Sequence, residues 1–141
     1  MTRKLRFLTV LFSFMWPCLA AQAQQAEIKP VYELRIYKLN SANKQHFHDR
    51  FRDQCMPIMK RYGFDIVFTS ETTSMGAPEF VYLLRWPSDE VRTRAWKAFL
   101  ADPEWAAIKK ATAARYGDLV EDVQDRQLQL TSYTPAASMV P

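Results

Sequence analysis

The chain has 141 residues, of which 48% are hydrophobic and 24% charged, and its formal net charge is +4 at pH 7. This length suits a single domain, and this composition excludes a disordered segment, a collagen-like chain and a disulfide-dense scaffold. The two cysteines are too few for a disulfide framework.

The first 23 residues have the pattern of a secretory signal peptide. Three basic residues precede an apolar stretch at positions 7–21, and Ala21 and Ala23 are the small residues that a signal peptidase recognises. The apolar stretch is shorter than the ~20 residues that a membrane-spanning helix needs. We therefore predict cleavage after Ala23 and a periplasmic or secreted mature protein.

Removal of these 23 residues with their three basic side chains leaves 118 residues, and 16 basic against 15 acidic groups. This near-neutral balance gives no reason to expect a nucleic acid or a membrane surface as a partner. Cys55 is then the one remaining cysteine, so no internal disulfide can form. We divide the mature chain into a loose segment (24–30), one domain (31–135) and a C-terminal tail (136–141).

The first half of this domain is predicted to form a strand, a helix and two further strands, in that order. Residues 31–39 alternate and are rich in β-branched and aromatic side chains, which is typical of a strand. Apolar residues at helical spacing predict a helix over about 42–62, and Pro57 removes an amide donor, so we expect a kink near Asp53. Residues 64–69 and 80–86 have the composition of strands, and the polar residues 70–79 between them predict a loop.

The second half predicts two helices and a final strand. Pro87 and Ser88 open a helix, and Asp102 and Pro103 end it and cap the next one. Gly117 suits the end of that helix, and residues 119–133 are expected to form a long strand.

The order β-α-β-β-α-β is typical of an α+β, ferredoxin-like protomer, in which both helices cover one face of a four-stranded antiparallel sheet. The other face would be bare, although Tyr37, Leu39, Val81 and Leu83, or the residues that alternate with them, are apolar. An exposed apolar face of this size indicates a partner. We expect that partner to be a second copy of the chain, so that the protein is a homodimer.

Four separated segments resemble the NIPSNAP family. They are Val31-Tyr32-Glu33-Leu34-Arg35-Ile36-Tyr37; Cys55-Met56-Pro57-Ile58 with Arg61-Tyr62-Gly63-Phe64; Phe80-Val81-Tyr82-Leu83-Leu84-Arg85-Trp86; and Ala101-Asp102-Pro103-Glu104-Trp105. The resemblance covers about residues 31–135. It implies a dimeric α/β barrel built from two ferredoxin-like protomers.

The resemblance implies a fold rather than a reaction, because the family has no generally established activity. We therefore expect a protein that binds a small molecule or a protein partner. The alternative is an enzyme, since related barrels include cofactor-independent monooxygenases and haem proteins that act in the cavity between two sheets. A third interpretation is a purely structural module whose interior is filled by side chains.

The first strand supplies the candidate site. Alternation predicts that Tyr32, Leu34 and Ile36 meet the helices, so that Glu33, Arg35 and Tyr37 lie on the other face. Since strands one and three should be neighbours, Arg85 is expected to join them there.

Two interpretations of this polar set are open. In the first, Glu33 forms a structural ion pair with Arg35 or Arg85. In the second, an arginine holds the carboxylate or enolate of a ligand, and Tyr37 donates a hydrogen bond to that ligand.

The remaining chemistry-bearing residues have structural explanations. His46 and His48 are two residues apart, so they point in different directions on a helix and cannot share a metal. No cluster has the spacing of metal ligands, and we predict neither a metal nor a cofactor. Cys55 is on the apolar stripe of its helix and is expected to be buried, and Asp102 is expected to act as a cap.

Overall fold

The computed structural model describes residues 30–135, which form a four-stranded antiparallel sheet in the order β2-β3-β1-β4. Its strands are β1 (Val31–Leu39), β2 (Asp65–Ser74), β3 (Ala77–Trp86) and β4 (Val120–Leu128). Its helices are α1 (Lys44–Arg50), α2 (Met56–Arg61), α3 (Asp89–Leu100) and α4 (Pro103–Tyr116). This is the predicted ferredoxin-like protomer. The predicted signal peptide and the last six residues lie outside the described part.

Helices α1 and α2 are two parts of one long helical segment, as the apolar spacing predicts. They are joined by a π-helical turn over Phe51–Cys55, which includes the expected position of the kink. Pro57, two residues after the turn, has no amide proton to donate to the carbonyl of Asp53. The wider turn accommodates this loss and directs Phe51 and Cys55, both buried, toward the sheet.

Strands β2 and β3 form a hairpin, so the predicted loop at residues 70–79 is wrong. Ser74 pairs with Ala77, which leaves a two-residue turn at Met75 and Gly76. Both turn residues have positive φ, 49° and 81°, as the tightest hairpin turns require. The stretch is polar because its residues form the two exposed arms of the hairpin, and this polarity was interpreted as a loop.

The helix caps are as predicted. The Ser88 hydroxyl accepts a hydrogen bond from the amide of Val91 at 3.3 Å at the start of α3. The Asp102 carboxylate accepts one from the amide of Trp105 at 2.9 Å, with Pro103 at the first position of α4. Helix α4 ends at Gly117, whose φ is 73°. Strand β4 is shorter than expected and ends at Leu128.

The face assignment predicted for β1 is wrong. The odd-numbered residues of β1 pair with the even-numbered residues of β3, for example Glu33 with Leu84 and Tyr37 with Phe80. Leu84 and Phe80 belong to the core between the sheet and the helices. Glu33, Arg35 and Tyr37 therefore face the helices, whereas Tyr32, Leu34 and Ile36 lie on the open face.

Candidate functional site

A cavity of about 520 Å³ lies between the helix-covered face of the sheet and the helices of one protomer. Its walls are mostly aromatic or apolar and come from all helical elements, at Phe47, Phe51, Met59, Trp96, Phe99 and Trp105. Its volume is within the range of ~300–1,000 Å³ that is common for small-molecule sites. The cavity is therefore inside the protomer and not between two sheets, where sequence analysis placed it.

Glu33 is at the floor of this cavity and is 1% exposed. Its Oε2 accepts hydrogen bonds from the indole Nε1 of Trp86 at 3.1 Å and of Trp96 at 2.8 Å. Its Oε1 accepts a third from Nη1 of Arg35 at 3.3 Å. A buried carboxylate needs such partners, and here two of them are the indole N–H groups of otherwise apolar side chains.

Arg35 links Glu33 to the open part of the cavity. Its guanidinium lies 4.6 Å from the centre of the Trp96 ring, and Nη1 is 3.8 Å from Asp125 on β4. Burial opposes its charge, but its interactions with Tyr37, Tyr82 and Glu33 together outweigh this effect and raise its pKa. Its Nε is buried and has no hydrogen-bond partner among residues 30–135.

Tyr37 and Tyr82 place two hydroxyls on the same wall, 3.0 Å apart. Tyr82 is completely buried, and burial raises its pKa well above its usual range. Tyr82 therefore keeps its proton near neutral pH. One proton joins the two hydroxyls, so the other remains for a further acceptor.

The opposite wall carries the thiol of Cys55 between two basic side chains. Arg50 lies 5.4 Å and Lys109 5.8 Å from the centre of the Trp105 ring. Burial raises the pKa of Cys55 to about 12, although the charges of Arg50 and Lys109 act in the opposite direction. The thiol is 5% exposed, so the expected burial of Cys55 is confirmed, and it is protonated at neutral pH.

Three of the four predicted site residues are together, and the fourth is not. Glu33, Arg35 and Tyr37 all line the cavity, whereas Arg85 is on the open face and donates to Asp65 at 2.7 Å. Of the two ion pairs considered, the structure has the one between Glu33 and Arg35.

The histidines lie apart from the cavity. His46 stacks on Tyr116 with ring centres 3.7 Å apart, and Nε2 of His48 is 3.0 Å from the Glu71 carboxylate. Within the described residues, no group of three His, Cys, Asp or Glu side chains could hold a metal ion. None of the described helices is long and apolar enough to cross a membrane.

Sequence analysis missed the contribution of Arg50, Trp96 and Trp105. Trp105 is only 8% exposed and belongs to the core, against which Trp96 packs. Both also line the cavity, and Trp96 binds Glu33. One available signal was the pair of polar residues on β1, because a buried carboxylate requires donors from the layer above it.

The sequence profile of the NIPSNAP family, described simply as NIPSNAP, matches residues 32–135. The chain belongs to the NIPSNAP family, as its four segments indicate. No protein of curated function matches the chain significantly.

Solved structures of NIPSNAP proteins have the same fold. A NIPSNAP-like domain protein from Burkholderia xenovorans is 22% identical, with a TM-score of 0.65 over 77% of this chain and 90% of that one. Two NIPSNAP family proteins from Agrobacterium tumefaciens are 18% and 19% identical, with TM-scores of 0.66 and 0.65. They cover 77% of this chain, and 99% and 95% of their own chains. At these identities the likeness concerns the fold.

Proposed function

We propose that this protein binds a small organic molecule in the cavity between the sheet and the helices of each protomer. The observation that carries the proposal is a space of about 520 Å³ with aromatic walls, into which Arg35 and Tyr37 present polar groups. Apolar walls with a few directed polar groups are typical of sites that bind small molecules. A module filled by its own side chains would leave no such space.

The cavity proposal is tested with N-phenyl-1-naphthylamine, an uncharged probe whose fluorescence rises in apolar surroundings. We expect saturable binding to the wild type. Val123 lines the cavity from β4, so Val123→Trp should fill part of the space and weaken binding at least about tenfold. The neighbouring Gln124 points to the opposite face of the same strand, so Gln124→Trp is the matched control. A wild type without saturable binding, or equal affinities of the two variants, would contradict the proposal.

The natural ligand is sought directly by native mass spectrometry of protein purified from the periplasm. A bound small molecule that is present in the wild type and depleted in Val123→Trp supports the proposal. Its loss from the control Gln124→Trp as well would argue against this cavity as the place of binding.

We also propose that the protein acts as a homodimer through the open face of the sheet. On three adjacent strands of this face, Leu34, Ile36 and Val81 are partly exposed and Phe68 is exposed, whereas Tyr32 and Leu83 are already buried. A second copy, placed sheet against sheet, would remove this face from water while leaving the cavity of each protomer accessible from its own side.

The predicted signal peptide at residues 1–23 supports a proposal on where the protein acts. The protein acts in the periplasm or outside the cell, after cleavage behind Ala23. The intact mass of the periplasmic protein should correspond to a chain that begins at Gln24. A full-length mass in the membrane fraction would contradict this expectation.

A further inference from the structure

The basic side chains that line the cavity differ in how their charges are balanced. Among residues 30–135, four line it, at Arg35, Arg50, Arg92 and Lys109. Arg35 has Glu33 and Asp125 nearby, and Arg92 is 2.9 Å from Asp89. No carboxylate within residues 30–135 is close enough to form an ion pair with either Arg50 or Lys109. The two unbalanced charges are therefore both on the wall formed by α1 and α4.

Arg50 is the more informative of the two, because it is half-buried whereas Lys109 is exposed. Its guanidinium lies 5.4 Å from the centre of the Trp105 ring, and it donates no hydrogen bond to any described residue. A ring face attracts the charge but does not replace the acceptors that the five N–H donors of a guanidinium need. Burial lowers the pKa of Arg50, in keeping with this lack of acceptors.

The unbalanced charges converge on one place. Arg50 and Lys109 contact the same indole ring and both act on the thiol of Cys55. Trp105 is held there by the Asp102 cap at the start of α4. From this point the cavity continues along Phe51, Met59 and Phe99, which offer no charge. A molecule that fits both the basic end and the apolar remainder of the cavity has an acidic group at one end and an apolar body.

We propose that the ligand is an amphipathic carboxylate whose acidic group binds Arg50 beside Trp105, with Lys109 at the rim, while its apolar body lies along the aromatic wall. This inference rests on the proposed small-molecule function and names its ligand class. A guanidinium binds a carboxylate through two parallel hydrogen bonds, which is stronger and more directional than a single contact. The charge of Arg35 is balanced by Glu33 and Asp125, so Arg35 is not the partner of the acidic group.

The test compares two probes of the same shape, 2-naphthoate and 2-naphthalenemethanol, as competitors of N-phenyl-1-naphthylamine at pH 7.5. We expect the acid to bind the wild type at least about tenfold more tightly than the alcohol. Arg50→Gln should reduce the affinity for the acid to that for the alcohol and leave the alcohol unchanged. Arg50→Lys, which retains the charge, should restore part of the preference.

Arg115→Gln is the matched control, because Arg115 also lies over an aromatic ring, that of Tyr116 at 5.0 Å, but does not line the cavity. It should leave the preference unchanged, and thermal unfolding checks that each variant is folded. Equal affinities of acid and alcohol for the wild type, no displacement by the acid, or a preference that survives Arg50→Gln would overturn this inference. If the neutral probe itself fails to bind the wild type, the proposed function fails instead.

Discussion

The carboxylate of Glu33 on β1 and the indole of Trp96 on α3 are joined by a hydrogen bond of 2.8 Å. This bond joins one of the two central strands of the sheet to the helical layer at the floor of the cavity. Trp86 and Arg35 donate to the same carboxylate, so Glu33 is buried with a complete set of partners. The arrangement explains how an acidic residue can occupy a layer that is otherwise apolar.

Glu33→Ala is expected to lower the free energy of unfolding by about 3–5 kcal/mol, because it leaves two indole N–H groups without an acceptor and Arg35 with only the more distant Asp125. Urea denaturation measures this loss. Asp125→Ala is the control, since it removes the exposed partner of Arg35 and should cost less than about 1 kcal/mol. Because Glu33 faces the helices, folded Glu33→Ala should sediment as the wild type does. A loss of stability as small as that of the control would contradict the structural role of this carboxylate.

The junction between α2 and α4 predicts a dependence of stability on pH. Asp102 accepts hydrogen bonds from the Tyr62 hydroxyl at 2.7 Å, from the Trp105 amide and from Arg61. These bonds, that of Tyr62 first, lower the pKa of Asp102 below its usual 3.8. A lowered pKa in the folded state contributes stability above the ordinary pKa, and this contribution is lost as the pH falls through the lowered value.

Asp102→Asn isolates this effect, since asparagine caps a helix as well as aspartate but carries no charge. The melting temperature of Asp102→Asn should be below that of the wild type at pH 7, and the difference should shrink as the pH falls below about 4. Asp122→Asn, on exposed β4, is the control and should follow the wild type at every pH. A difference between Asp102→Asn and the wild type that stays constant with pH would exclude the charge as its cause.

The sequence predicts the element order and the fold well, because apolar periodicity and capping residues are local signals. Ser88, Asp102 and Gly117 each mark a helix boundary that the structure confirms. The faces of β1 could not be predicted in the same way. Both the odd-numbered and the even-numbered residues of β1 include apolar side chains, so the pattern does not show which set faces the helices. The prediction placed the charged residues Glu33 and Arg35 on the face away from the helices.

The candidate site was predicted in part for the same physical reason. The rule that charged residues avoid the core fails where the core itself supplies donors, as Trp86 and Trp96 do for Glu33. These partners are 53 and 63 residues away in sequence, and no local pattern brings them together. The hairpin was missed for a different reason, since a turn of Met75 and Gly76 lacks the usual Asn-Gly signature.

The reactivity of Cys55 tests the position of the π-helical turn. Burial raises its pKa to about 12 from an ordinary 9.0, so the reactive thiolate is scarce in the folded protein. At pH 8 we expect the native protein to react with a thiol reagent at least about a hundredfold more slowly than the protein in urea. Occupation of the cavity by a ligand should slow the native reaction further. Equal rates in both states would show that the thiol is not held in the core.

The hairpin turn offers a stabilising substitution. Met75 has a φ of 49° and is fully exposed, so its side chain gains no packing in exchange for a backbone conformation that favours asparagine or glycine. Met75→Asn should raise the free energy of unfolding by about 0.5–1 kcal/mol. Gly76→Ala, at a φ of 81°, should lower it by a similar amount. Thermal unfolding of both variants measures the effects, and a destabilised Met75→Asn would contradict the turn geometry.

The dimer proposal is tested on the open face, where Phe68, Leu83 and Leu34 lie opposite one another across three strands. Phe68 is 44% exposed, and burial of a few hundred Å² of this face at ~25 cal/mol per Å² would contribute several kcal/mol to association. Phe68→Glu places a charge in the contact and should convert the dimer to a monomer at micromolar concentration. Leu100→Glu is the control, because Leu100 is 59% exposed but belongs to the helical layer. Analytical ultracentrifugation decides: a monomeric wild type, or a Phe68→Glu variant as dimeric as the control, would show that a second copy does not cover this face.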